Sequence, residues 1–320
     1  MPQSTPTISI LTPMYNGERH LAECIESVRA QTFTDWEYII VDNCSTDSSA
    51  RIADRYAAID RRISVVRCTD FFNVHNNFNR AARLMNAHSR YCKFVSADDW
   101  IYPECLERMM AVAERHPGVG IVSSYQLVND YVGNDGLLPY TRETLPGTEA
   151  VRAALQLDRK YILGSPTQLL MRSDLVRRTE PFYDETVFHS DAHAGLRTLM
   201  NSDLGFVHQV LTFTRAHTNT ITSTSYRLNT DTPTQIRLLI QFGPHVFPPK
   251  QYRSIMRTWL YRYARYLGKR SLRPSRFNDP RHHPFHRHQL ACMLNELKQD
   301  PETTAVLRTL TVLTRNGVSG

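Results

Sequence analysis

The chain has 320 residues, of which 41% are apolar and 22% charged, with a formal net charge of +7. These proportions exclude a disordered or fibrous chain and fit a globular protein with a sizeable core. No apolar run is long enough to span a bilayer, and Met1-Pro2-Gln3-Ser4-Thr5-Pro6 lacks the charged and apolar regions of a secretory leader, so a cytoplasmic location is expected. The six cysteines form no C-x-x-C pair and are expected to be reduced, buried thiols.

Ile8-Ser9-Ile10-Leu11 predicts a first buried strand, and the turn Thr12 to Gly17 places Tyr15 and Asn16 just past its end. Leu21, Cys24, Ile25 and Val28 then repeat at helical spacing. A second strand, Tyr38 to Val41, ends in Asp42-Asn43, and Ser45-Thr46-Asp47 supplies capping chemistry for a helix through Ala50, Ala53, Tyr56 and Ala57. Ile63 to Val66 is a third strand, and Val74, Phe78, Ala81, Ala82 and Met85 mark another helix. The strand Tyr91 to Ser96 follows and stops at Asp98-Asp99. This alternation predicts an α/β fold with a mainly parallel sheet covered by helices on both faces.

In open sheets of this kind ligands bind beyond the carboxyl ends of the strands, where two adjacent carboxylates can hold a divalent cation against a diphosphate. The alternative is that Asp98 and Asp99 merely open the next helix, whose first turn Pro103 would mark. Neither G-x-G-x-x-G nor G-x-x-x-x-G-K-[ST] occurs, so phosphate charge would have to be neutralised by a metal.

Further along, Val119 to Val122 predicts a strand and Asn129 to Thr148 a mobile surface loop. Gly164-Ser165-Pro166-Thr167-Gln168 precedes the apolar strand Leu169-Leu170-Met171. Phe182-Tyr183-Asp184-Glu185 leads to His189-Ser190-Asp191-Ala192-His193 and a helix through Leu196, Leu199 and Met200. Gly205 to His217 predicts a pair of short strands. From about Thr230 the pattern is helical, and between Lys250 and Arg287 the sequence sets Arg253, Arg257, Arg262, Arg265, Lys269, Arg270, Arg273, Arg276 and Arg281 against the single acid Asp279. Such a basic, aromatic segment suits an anionic membrane surface, another subunit or plain solvent. The cluster His282 to His288 reads as a polar loop.

The run Ile8 to Glu18, the block Cys24-Ile25-Glu26-Ser27-Val28 with Gln31-Thr32, the block Trp36 to Asp47 and the terminal Ser96-Ala97-Asp98-Asp99 together resemble the family 2 glycosyltransferases of the GT-A fold. The resemblance implies a Rossmann-like mixed sheet, an inverting, nucleotide-sugar-dependent transfer and a Mg²⁺ or Mn²⁺ cofactor. Carried over residue by residue, it implies nucleotide binding by Pro13, Tyr15, Glu18, Asp42 and Asp98, and metal binding by Asp99 and Asp98. It also implies Asp191 as the base that removes the acceptor proton, although a helix cap is an equal reading of that residue. The end of the Gly205 to His217 segment resembles the family's Arg-x-His, which implies Arg215 at the diphosphate and His217 as a metal ligand. Two positions depart from the family: Asn43 stands where many members have a second acid, and Ser96 where many have another.

The expected organisation is a catalytic domain over residues 1–225, with a nucleotide-binding half at 1–100 and an acceptor half at 101–225, then a basic helical region at 226–320. The expected activity is transfer from a UDP-sugar or related donor to a glycan or lipid-linked acceptor in cell-surface polysaccharide synthesis. Peripheral membrane contact through residues 250–288, at the inner face of the membrane, and homo-oligomerisation belong to the same picture, and no nucleic-acid partner is expected. The rivals are a nucleotidyltransferase, and a non-catalytic membrane or nucleic-acid binding protein on a decayed GT-A domain.

Overall fold

A computed structural model describes residues 6–133, 138–156, 163–216, 225, 227–272, 279–297 and 301–313. The chain forms two compact units, Met1–Ala150 with Tyr161–Ala216, and Val151–Lys160 with His217–Gly320.

The first unit opens with β1 (Ile8–Met14), α1 (Leu21–Arg29), β2 (Trp36–Asp42), α2 (Ser49–Ile59), β3 (Ile63–Arg67), α3 (Val74–Leu84) and β4 (Tyr91–Phe94). The four strands pair in parallel in the order β3-β2-β1-β4. Every residue of β1 is buried, which is why its sequence is a nearly continuous apolar run rather than an alternating one. Ile8, Ile10, Leu21, Ile25, Tyr38 and Ile40 share one core, to which Leu106 and Met109 also belong.

The chain continues through β5 (Trp100–Ile101), α4 (Cys105–Arg115), β6 (Val119–Val128), β7 (Tyr131–Gly133), β8 (Thr144–Leu145) and α5 (Gly147–Gln156). A single 3₁₀ turn at Pro166–Gln168 precedes β9 (Leu170–Arg172), α6 (Ser173–Arg177), α7 (Ser190–Leu199) and β10 (Asp203–Thr214). β9 runs antiparallel to both β4 and β6, and β6 pairs in parallel with β10, so the sheet is mixed.

Two local expectations are corrected and one alternative is removed. Asn129 to Thr148 is not simply a loop, since β7 pairs with β6 and β8 with β10. Residues 205–214 lie in one strand rather than two, because register shifts between Val207 and Val210 and between Val210 and Thr212 absorb the polar His208-Gln209 without ending the pairing. Asp98 and Asp99 do not start a helix: β5 follows them, and α4 begins only after Glu104, beyond Pro103.

The second unit is helical, with α8 (Asp231–Val246), α9 (Pro249–Leu272), α10 (His282–Glu296) and α11 (Pro301–Leu313). The histidine cluster read as a polar loop is the first half of α10. His282 and His286 are buried there, and tyrosines of α9 meet one ring nitrogen of each: Tyr263 Oη lies 2.7 Å from His286 Nδ1 and Tyr266 Oη 2.7 Å from His282 Nε2. His286 Nε2 lies 2.8 Å from the Leu228 carbonyl. Buried Arg237 of α8 pairs with Glu296 at the far end of α10. Among the described residues no helix is long and apolar enough to cross a membrane.

Candidate active site

β1 has β2 on one side and β4 on the other, so the connections leaving their carboxyl ends diverge there and open a crevice. On one bank, Pro13 is buried in β1, while Tyr15 just past it is half exposed and meets Phe71 edge-on, ring centroids 4.9 Å apart. Asn16 turns the chain in the left-handed region (φ 49°), and its Oδ1 accepts from Thr46 N at 2.8 Å. Glu18 accepts from Ser48 N at 2.9 Å, and Glu18 N donates to Asp47 at 3.0 Å. The loops after β1 and β2 are thereby laced together. The carboxyl of Asp47 is held below its ordinary range: burial opposes this, but donation from Ser49 and from the Glu18 N–H outweighs it.

Asp42, buried at the end of β2, accepts from Ser45 N at 3.0 Å. Its neighbour Asn43 has a different task. Asn43 Nδ2 donates to the Phe72 carbonyl (2.8 Å) and Asn43 Oδ1 accepts from Phe72 N (2.9 Å). Only an amide can make both bonds, which gives the departure from the family's second acid a physical reason.

On the other bank, Asp99 is buried and Asp98 half-buried. Thr167 donates its hydroxyl to Asp99 Oδ2 at 2.6 Å, and Arg215 N donates to Asp99 Oδ1 at 3.0 Å. Burial first, and the charge of Asp98 second, push the Asp99 carboxyl up to about 7, against the pull of those two bonds. The guanidinium of Arg215 donates to the Asp98 carbonyl at 3.2 Å and pairs with Glu23 of α1 at 2.6 Å. The 3₁₀ turn carrying Thr167 is itself pinned from below: fully buried Lys93 donates to the Thr167 carbonyl at 2.6 Å, and burial lowers its ammonium pKa.

Asp191 lies in the first turn of α7, partly buried, in a pocket of charge that also holds Asp184, Glu185 and His75 of α3. α3 is fastened to this segment by reciprocal bonds between Asn79 and the Tyr183 backbone, both 2.8 Å, and by Asn76 donating to Glu185 at 2.8 Å. Burial depresses the His75 pKa, and Asp191 is the largest influence opposing it.

The structure thus gathers Asp98, Asp99 and Arg215, and separately Tyr15, Glu18 and Asp42, on the two banks of the crevice. His217 lies outside the described residues, and among the described ones no three Asp, Glu, His or Cys side chains form a metal cluster. The acids nonetheless suit a divalent cation. Each bonded oxygen of Asp99 keeps a second lone pair, the Asp98 charge beside it raises the cost of ionising Asp99, and Mg²⁺ takes only one or two protein carboxylates. Sequence reading missed Thr167, Lys93, Glu23 and His75 as partners of the acids. A lysine inside an otherwise apolar strand run was the one signal available for Lys93.

A mixed, largely parallel sheet with an aromatic shelf of Tyr15 and Phe71 on one side of its switch point and paired acids on the other is an α/β fold of the GT-A kind. The family model for glycosyl transferase family 2 matches residues 9–178, more than half of the chain, and the protein belongs to that family. TuaG of Bacillus subtilis (strain 168), whose assignment to teichuronic acid biosynthesis as a glycosyltransferase is itself provisional, is 36% identical over 105 residues, 33% of this chain and 41% of TuaG. The chain spans about half or less of the length of such curated relatives. Among solved structures, TarS of S. aureus (residues 1–349) in complex with UDP-GlcNAc superposes with a TM-score of 0.68 at 17% identity, covering 96% of this chain and 89% of that one. The mannosyltransferase PcManGT from Pyrobaculum calidifontis, in complex with GDP-Man and Mn²⁺, gives a TM-score of 0.57 at 15% identity, covering 98% and 85%.

Proposed function

We propose that the protein is an inverting glycosyltransferase that moves a sugar from a UDP-type nucleotide donor to a hydroxyl of a glycan or lipid-linked acceptor in surface polysaccharide assembly. The observation that carries this reading is the placement of Asp98 and Asp99 at the carboxyl end of β4, facing the shelf of Tyr15 and Phe71 across the switch point. Asp42 is suited to accept from the base, and Tyr15 to cover it. The complexes of TarS with UDP-GlcNAc and of PcManGT with GDP-Man and Mn²⁺ support this reading, since both share the fold.

When bound, Mg²⁺ or Mn²⁺ would neutralise the departing diphosphate, with Asp98 and Asp99 as its protein ligands. The chain's own residues set the geometry. Thr167 and the Arg215 N–H lock the Asp99 carboxylate in one orientation, so Asp99 needs no rearrangement when the donor arrives. Asp191 takes the proton of the acceptor hydroxyl. The hydroxyl oxygen bonds to the anomeric carbon as the carbon–oxygen bond to the diphosphate breaks, and the configuration inverts.

The test uses two variants and two readouts. Asp98→Asn should lose Mn²⁺-dependent binding of UDP in calorimetry, whereas Asp191→Asn should keep that binding and lose sugar transfer. Undiminished UDP binding by Asp98→Asn, or undiminished transfer by Asp191→Asn, would remove the corresponding residue from the mechanism.

A further inference from the structure

The outer face of α9 carries a chemistry that the transfer reaction does not use. Over Pro249–Leu272 the helix contains no Asp or Glu. At about 3.6 residues per turn, Lys250, Arg253, Arg257, Tyr261 and Arg265 fall on one stripe, flanked by Arg262 and Lys269, and all seven are exposed. The opposite stripe, Met256, Trp259, Leu260, Tyr263 and Leu267, is buried, so the helix is anchored by one side and presents cations, one aromatic ring and the small polar Ser254 and Thr258 on the other. Tyr261, 68% exposed, sits in the middle of that cationic arc. Its place among cations matches the preference of tyrosine for the headgroup level of a bilayer, where its ring meets acyl chains and its hydroxyl meets water. A stripe about 29 Å long, from Lys250 to Lys269, suits a flat anionic plane better than a compact ligand.

We propose that this face of α9 docks the protein on an anionic phospholipid surface, with Tyr261 at the interface and the flanking Lys and Arg side chains on the phosphates. The face is confined to residues 250–269. His282 and His286, within the wider basic segment marked out by the sequence, are turned inward and contribute nothing to it. The inference is independent of the assigned sugar-transfer residues, all of which lie outside α9.

The experiment is co-sedimentation of the full chain with phosphatidylcholine vesicles, with and without phosphatidylglycerol. Binding is expected only with the anionic lipid, falling roughly fivefold for each cation removed and on the order of a hundredfold in Arg253→Gln/Arg257→Gln/Arg265→Gln. It should also weaken as salt shortens the screening length. The substitutions are on the exposed stripe, and unchanged circular dichroism keeps a folding defect from standing in for lost binding. A second readout is Tyr261→Trp, whose added fluorescence should shift to the blue on anionic vesicles. Absence of pelleting at low salt, equal pelleting by the triple variant, or an unmoved Tyr261→Trp emission would each overturn the proposal. So would binding to double-stranded DNA in the absence of vesicle binding, which would assign the face to nucleic acid instead.

Discussion

Thr167→Val keeps the shape of a fully buried side chain and removes only its hydroxyl. In the structure that hydroxyl donates to Asp99 at 2.6 Å and accepts from Ser96 N at 3.1 Å. The first bond, to a charged acceptor, contributes about 1.5–3 kcal/mol, and the Ser96 N–H, being only partly buried, adds about 1 kcal/mol when orphaned. The expected loss is about 3 kcal/mol, or roughly 6–12 °C in Tm, read by thermal and urea unfolding. Thr167→Ser, which keeps the hydroxyl and loses a methyl, should cost only about 1 kcal/mol. The deficit should also depend on pH. Because the folded-state pKa of Asp99 is raised above its usual 3.8, stability is complete below that value and declines as pH rises through about 7. Removing a bond that favours the ionised carboxylate extends the decline, so Thr167→Val should fall further behind at pH 8 than at pH 6. Equal stability of the valine and serine variants would refute the argument that Thr167 holds Asp99.

Gly164 has φ +81°, and a Cβ there would lie 1.5 Å from Gln168 Oε1, so Gly164→Ala should destabilise by about 2 kcal/mol or more and weaken the same turn, as denaturant titration would show. His75 has a folded-state pKa below its unfolded value of 6.5, so the unfolded chain takes up a proton first and stability is lost as pH falls below 6.5 toward the folded value. His75→Gln should therefore lose less Tm than the parent between pH 7.5 and 5.5; identical slopes would show that the histidine does not contribute. Phe71→Ala should weaken UDP binding severalfold in calorimetry by shortening the aromatic shelf, and unchanged affinity would confine the shelf to Tyr15.

The first four strands were legible because each is a short apolar run with polar punctuation, and so were the acids at the end of β4. What was not legible was what holds those acids. Thr167 is 68 residues from Asp99 and the Arg215 N–H is 116 away, and no local pattern encodes such distant partners. His282 and His286 misled for a related reason. Their polarity reads as surface until the tyrosines of α9, 16 and 23 residues earlier, are seen to meet a ring nitrogen of each. β10 was divided in two because a period-based reading cannot anticipate a bulge.

Asn43 shows how one amide can decide the freedom of a neighbouring loop. Its two-way clasp on Phe72 fixes the residue next to Phe71, so the ring that meets Tyr15 projects from a tethered backbone. An aspartate would offer acceptors alone, releasing the Phe72 carbonyl and loosening the hinge from which that ring projects. An acid at position 43 would therefore trade a rigid wall for an extra charge.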